Sequence, residues 1–350
     1  MNTVSNVDVQ TYIDQQLELF DFSRLNKAAG LNFGEWVRKA ISGELDLSLA
    51  GIGKKILDLL FGEILLNWEL LRNLIIIAIL SAVLKVLTDS FKSKAAAELG
   101  FFVSYISLLM VLIASFHTTL GIMTGLVTVL SNIMTAALPV MLGMLVLSGK
   151  FASASAFNPI FIVMLEGLSL FVRLILTPAL SAGAMIEAIN YLSNKPMLTN
   201  LTKLIRKVCD WGLKGVAFVF LSILSIQKIS APIINNTALK AAKAGAGAIP
   251  VVGDMVSGAM DVVLFWGTAA SSGIMIALVI TIIVVCGVQL IKILAMLLIY
   301  KLTAAVIQPI VEERFVKCID GIAAFCNLIF QAGVTVVVMF IISVVIMLSF

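Results

Sequence analysis

Charge is what this sequence has least of: only 13% of its 350 residues are Asp, Glu, Lys or Arg, about half the share found in ordinary soluble domains. Histidine is nearly absent, with His117 alone. The four cysteines, Cys209, Cys286, Cys318 and Cys326, show no CxxC spacing, so neither a zinc site nor a disulfide framework is indicated. The glycines of Ala244 to Asp254 are not followed by Gly-Lys-Ser/Thr, which excludes a phosphate-binding loop. No nucleophile and histidine pair, no paired carboxylates and no metal-ligand cluster stands out, so no catalytic residue, metal or cofactor is expected. The formal net charge of +4 is spread along the whole chain, unlike the concentrated basic face that nucleic acid requires. The first residues, MNTVSNVDVQTYIDQQ, carry neither the basic start nor the apolar core of a signal peptide.

What is abundant is apolar sequence: 61% of the residues are hydrophobic and the mean hydropathy is +1.10. A water-soluble globule cannot hide that much apolar surface. Charge-free runs at Leu99 to Gly149, Val262 to Ile291 and Gly321 to Phe350 exceed the roughly 20 residues a spanning helix needs. The expected fold is all-α, a polytopic integral membrane bundle of seven or eight spans with additional amphipathic or re-entrant helices, and its principal partner is the lipid bilayer.

Two regions are expected. Residues 1–66 hold nearly half of the 20 acidic residues and read as an amphipathic helical head; residues 67–350 form the membrane domain. In the head, Val9, Ile13, Leu17 and Phe20 recur at helical spacing, as do Phe33, Trp36, Val37, Ala40 and Ile41. A third stripe, Ile52, Ile56, Leu59, Leu60 and Ile64, follows Ser48 as a cap. These helices either lie in the membrane interface or pack on one another or on the membrane domain.

The first span centres on Asn73 to Leu84, with Arg72 and Lys85 at its ends. Leu99 to Gly149 is twice the length of one span, and His117, Thr118, Thr119 and Gly121 mark the expected break. Asn132 and Pro139 fall in its second half. Asn158 to Asn190 reads as a helix kinked at Pro178. Asn194 to Lys214 is a basic connector read as an interfacial helix leading into a span from Gly215 to Ile229. Gly245, Gly247, Pro250, Gly253 and Asp254 suggest a re-entrant or interfacial hairpin. The helix from Ile274 to Gln308 either projects from the bilayer or breaks near Lys292, with Pro309 closing it, and Gly321 to Phe350 is the last span.

The candidate functional residues are the polar ones inside these runs. Glu166 and Arg173 share a helix face two turns apart, and intramembrane charges usually face a bundle interior or a water-filled path. The alternative is that each satisfies a structural partner. Lys292, Lys301 and Asn132 complete the set of path-lining or buried polar candidates, with Pro139, Pro178 and Pro309 as helix kinks. Glu187 and Asn190, closing their helix, read as interfacial.

The motifs IPVVGDMVSGAMD at Ile249 to Asp261 and KILAMLLIYKLTAAVIQPI at Lys292 to Ile310, with FNPI at Phe157 to Ile160, LTP at Leu176 to Pro178 and SIQ at Ser225 to Gln227, resemble the stage III sporulation protein AE family of endospore-forming bacteria. Their order and spacing carry the resemblance over most of the chain. It implies a subunit of the channel-like complex linking mother cell and forespore, seated in the mother-cell membrane that becomes the outer forespore membrane. Implied partners are the other stage III A-operon proteins, including a cytoplasmic ATPase and ring-forming membrane proteins. Two other functions compete with that one: a self-contained secondary transporter of a small solute, which calls for an inverted repeat, and a scaffold that recruits ring-forming partners. Small-residue faces such as Gly143 to Gly149 and Gly253 to Gly258 would also permit contacts between copies.

An exported head places residues 1–66 outside the mother-cell cytoplasm and the loop with Lys92 and Lys94 inside, as the positive-inside rule favours. Three spans then separate that loop from the connector, putting Lys195 to Lys214 outside, against the rule. A re-entrant segment, or a connector lying on the outer headgroups, would resolve the conflict.

Overall fold

The computed structural model describes residues 49–90, 94–147, 162–193, 196–247 and 253–348. The two head helices expected before residue 48, Pro250 and the FNPI motif lie outside the described residues. Among the described residues every element is helical: α1 (Leu49–Leu66), α2 (Trp68–Ser90), α3 (Lys94–Leu147), α4 (Ile162–Asn190), α5 (Thr199–Gly247), α6 (Gly253–Ile307) and α7 (Glu313–Leu348). Five of them, α3 to α7, are long and apolar enough to cross a membrane, so the chain is a multi-pass membrane protein. Among the described residues the expected count of seven or eight spans is not confirmed. Helix α2 forms where the first span was expected, but Glu69, Arg72 and Lys85 interrupt it, and it is not among the five.

The largest departure concerns α3, which runs unbroken for 54 residues, about 80 Å at 1.5 Å per residue. The expected break at His117 to Gly121 is absent for a local reason. The Thr118 hydroxyl donates to the Ala114 carbonyl and the Thr119 hydroxyl to the Ser115 carbonyl, so these polar groups are absorbed by the helix's own backbone. A single glycine costs a helix only about 1 kcal/mol relative to alanine. Helix α6 likewise passes through Lys292 without a break, and α5 takes in the connector from Thr199 onward and the following span as one 49-residue helix.

The prolines divide. Helix α3 continues through Pro139. In α4 a π-helical stretch, Phe171–Leu176, precedes Pro178. Proline has no N–H and its ring crowds the carbonyl four residues back; the wider turn accommodates this, with the Thr177 N–H and hydroxyl both reaching the Val172 carbonyl. Pro309 kinks nothing: it lies in the turn between α6 and α7, where the chain simply ends one helix and starts another.

Helix α7 is the hub. Its Phe315, Ile319, Ile322, Phe325, Ile329, Val336 and Phe340 are fully or almost fully buried between α3, α4, α5 and α6. Helix α1, the third amphipathic helix of the head, packs along α6, with Glu63 4.0 Å from Lys292. Of its expected apolar stripe, Ile64 packs against the core, whereas Ile56 and Leu59 are exposed.

With α3 a single helix, two spans rather than three separate Lys92 and Lys94 from the basic start of α5. Lys94 and the basic start of α5 therefore belong to the same end of the bundle. This removes the topological conflict without any re-entrant segment between them.

Candidate functional site

Charge gathers at that one end, where α2, α4 and α6 finish and α3, α5 and α7 begin. The turn from α4 to α5 is held by Asn190, whose amide donates to Thr199 Oγ1 at 2.9 Å while its Oδ1 accepts the Leu198 N–H at 2.7 Å. This brings Glu187 on α4 against Arg206 on α5: Arg206 Nη2 donates to Glu187 Oε1 at 2.6 Å, and the glutamate side chain is only 4% exposed.

Three features make room for that pair. A Cβ on Gly321 of α7 would stand 2.6 Å from Glu187 Cγ and Oε1, so only glycine admits the carboxylate. A Cβ on Gly183, one turn earlier on α4, would meet the Phe325 ring at 2.5 Å. That ring in turn lies under the Arg206 guanidinium, 4.8 Å from centroid to Cζ, a favourable cation–π arrangement. Glu187 Oε2 and Arg206 Nε, both shielded from solvent, have no hydrogen-bond partner among the described residues.

Around the pair opens a crevice of about 820 Å³, bounded by α4, α5, α6 and α7. On its walls Lys301 pairs with Asp320 at 2.5 Å and Lys317 with Glu313 at 2.8 Å, while Lys203 adds a further positive charge. Tyr191 stands at its edge; burial, and then the Glu187 carboxylate, hold its phenol above the ordinary range, so it remains a hydroxyl donor at neutral pH. A second crevice of about 740 Å³ lies beside it, where Arg314 pairs with Glu312 at 2.7 Å and stacks 3.6 Å over Phe101. The two crevices form a polar, largely charge-compensated surface at one end of an apolar bundle.

The expected site residues do not converge there, with one exception, Lys301. Lys292 is half-buried and joins α1 to α6 through Glu63. Glu166, Arg173 and Asn132 are exposed on the outer surface of α3 and α4, not in the bundle interior. Arg173 Nη2 donates to Thr128 Oγ1 at 2.7 Å. Seven-residue spacing placed Glu166 and Arg173 on a common face correctly, but periodicity cannot say which face is outward when nearly every neighbour is apolar. Gly245 and Gly247 close α5, and Gly253 and Asp254 open α6. Glu187, read as interfacial, stands at the end of α4 and is buried between helices there. Its only sequence signals were the glycines at 183 and 321, which acquire meaning once helices are paired. Among the described residues no group of His, Cys, Asp and Glu is placed to hold a metal ion, and the four cysteines are buried and free.

Comparison with known proteins identifies relatives by sequence. The family model described as stage III sporulation protein AE matches residues 31–350. The stage III sporulation protein AE of Bacillus subtilis (strain 168) is 27% identical over 310 residues, covering 88% of this chain and 78% of that protein. No solved structure matches.

Proposed function

Since the chain belongs to the stage III sporulation protein AE family, we propose that it is a noncatalytic membrane subunit of a mother cell to forespore transport complex required for endospore formation. The family match over nearly the whole membrane domain is the observation that carries this reading. The distribution of charge adds to it. A bundle with most of its ion pairs at one end, and with an apolar hub, is suited to stay fixed in a bilayer while presenting a polar surface to proteins beside it.

In this reading the complex sits in the mother-cell membrane facing the forespore. Energy comes from a partner ATPase, and ring-forming membrane proteins of the same operon are neighbours. The chain itself supplies a membrane platform that forms, or helps form, the passage. The polar crevices at the charged end are the natural seats for those neighbours, because their ion pairs can be exchanged for pairs with another chain at little electrostatic cost.

The test is complementation of a strain of an endospore-forming bacterium lacking its own stage III protein AE, together with purification of the tagged chain from native membranes under mild detergent. Restored transfer of a small fluorescent reporter into the forespore, with the operon's other proteins co-purifying, is the expected result. A chain that purifies alone and catalyses solute flux in vesicles by itself would replace this reading with a self-contained transporter.

A further inference from the structure

The outward face of α3 differs from those of α4 and α5. Lipid-facing positions elsewhere carry large apolar side chains, among them Val163 (70% exposed) on α4 and Phe218 (72%) on α5. Among the described side chains of α3, no large hydrophobic residue is exposed between Met110 and Val146. That stretch is level with α4: the helices are antiparallel, Arg173 bonds Thr128, and Tyr105 donates to the Ala188 carbonyl. It therefore lies at membrane depth, and an ionised or amide side chain facing lipid there is costly. Yet Asn132 and Glu166 are exposed, with no partner among the described residues, and Arg173 is exposed beside them.

The residues on this face follow a register. Thr118, Gly121, Gly125, Thr128, Asn132 and Thr135 recur at alternating steps of three and four, a seven-residue repeat of the kind that seats one helix along another. Gly121 and Gly125 form a GxxxG pair. A Cβ added at either would meet nothing within 4 Å, so neither glycine serves packing inside this chain, although each weakens the helix.

We propose that this face is the surface through which two copies of the chain associate in the membrane, their α3 seams packed in parallel about a two-fold axis along the membrane normal. Such an axis sets each seam position against itself. Glycine meets glycine, which permits close approach; threonine meets threonine; the seam bears no charge, so no like charges collide. Asparagine is self-complementary, being both donor and acceptor. Asn132 stands at a level between Glu166 and Arg173, where the amide of the second copy can donate to the one and accept from the other. The inference requires that α3 crosses the membrane and does not require that the complex transports anything.

Single cysteines introduced into the full-length chain in native membranes, followed by mild oxidation, test it. Gly125→Cys and Asn132→Cys are expected to give a disulfide-linked dimer of the 37.5 kDa chain, whereas Phe218→Cys gives only the background of the wild type. Adding Gly121→Leu to Asn132→Cys is expected to abolish the dimer without lowering the melting temperature of the purified chain, because the monomer has space for the side chain. Dimer formation no greater than for Phe218→Cys, its persistence with Gly121→Leu, capture of a different protein, or labelling of Asn132→Cys by an impermeant maleimide as fast as an exposed end residue such as Glu98→Cys would each overturn the proposal. All are readouts of assembly, so they remain decisive whether or not reporter transfer is found.

Discussion

Glu187 and Arg206 are 19 residues apart in sequence and 2.6 Å apart in space, a buried ion pair that fastens the end of α4 to the start of α5. Its position above Gly321 and Phe325 makes it the point where three helices lock together. Removing one partner strands a charge in a poorly solvated place, which in buried pairs costs about 3 to 5 kcal/mol. Glu187→Gln or Arg206→Met alone should therefore lower the melting temperature of the detergent-solubilised protein clearly, and the double substitution should recover much of the loss. Additive losses would show that the pair is not coupled.

Gly321 should tolerate no side chain. Gly321→Ala drives a Cβ to 2.6 Å from Glu187 and is expected to destabilise the fold or expel the carboxylate from Arg206. Gly215→Ala, at a helical position open for a Cβ, should be neutral or stabilising by up to about 1 kcal/mol. Thermal unfolding of the two variants side by side decides this, since equal melting temperatures would contradict the close approach.

The single-helix course of α3 puts the start of α3 and the start of α5 on the same side. Glu98→Cys and Lys203→Cys should both react with an impermeant maleimide from the same side of the membrane, and Val146→Cys should not react from that side. Labelling of Glu98→Cys and Lys203→Cys from opposite sides would restore the break at His117 to Gly121.

Lys292 and Glu63, 4.0 Å apart and both partly solvated, should contribute little to stability, about 1 kcal/mol or less. Lys292→Glu is instead expected to loosen α1 from α6, read as faster proteolysis after Lys54 or Lys55, and adding Glu63→Lys should restore protection. Unchanged proteolysis in Lys292→Glu would mean that the apolar stripe of α1 holds it without help.

Membrane residence and the all-helical class were fully legible in the residues, because a chain with 61% hydrophobic residues and charge-free runs of 30 residues and more has only helices or closed barrels with which to satisfy its backbone in lipid. The shared exposed face of Glu166 and Arg173 also followed from period alone. Where α3 would break did not, because threonine hydroxyls that look like loop signals can bond back to their own helix, and a glycine weakens a long helix without ending it. Which apolar faces would be inward, and that Glu187 rather than Glu166 would be the buried acid, depended on which helices became neighbours. When almost every side chain is apolar, the pattern along one helix no longer distinguishes core from lipid; only packing between helices, decided by the close approaches at Gly183 and Gly321, makes that choice.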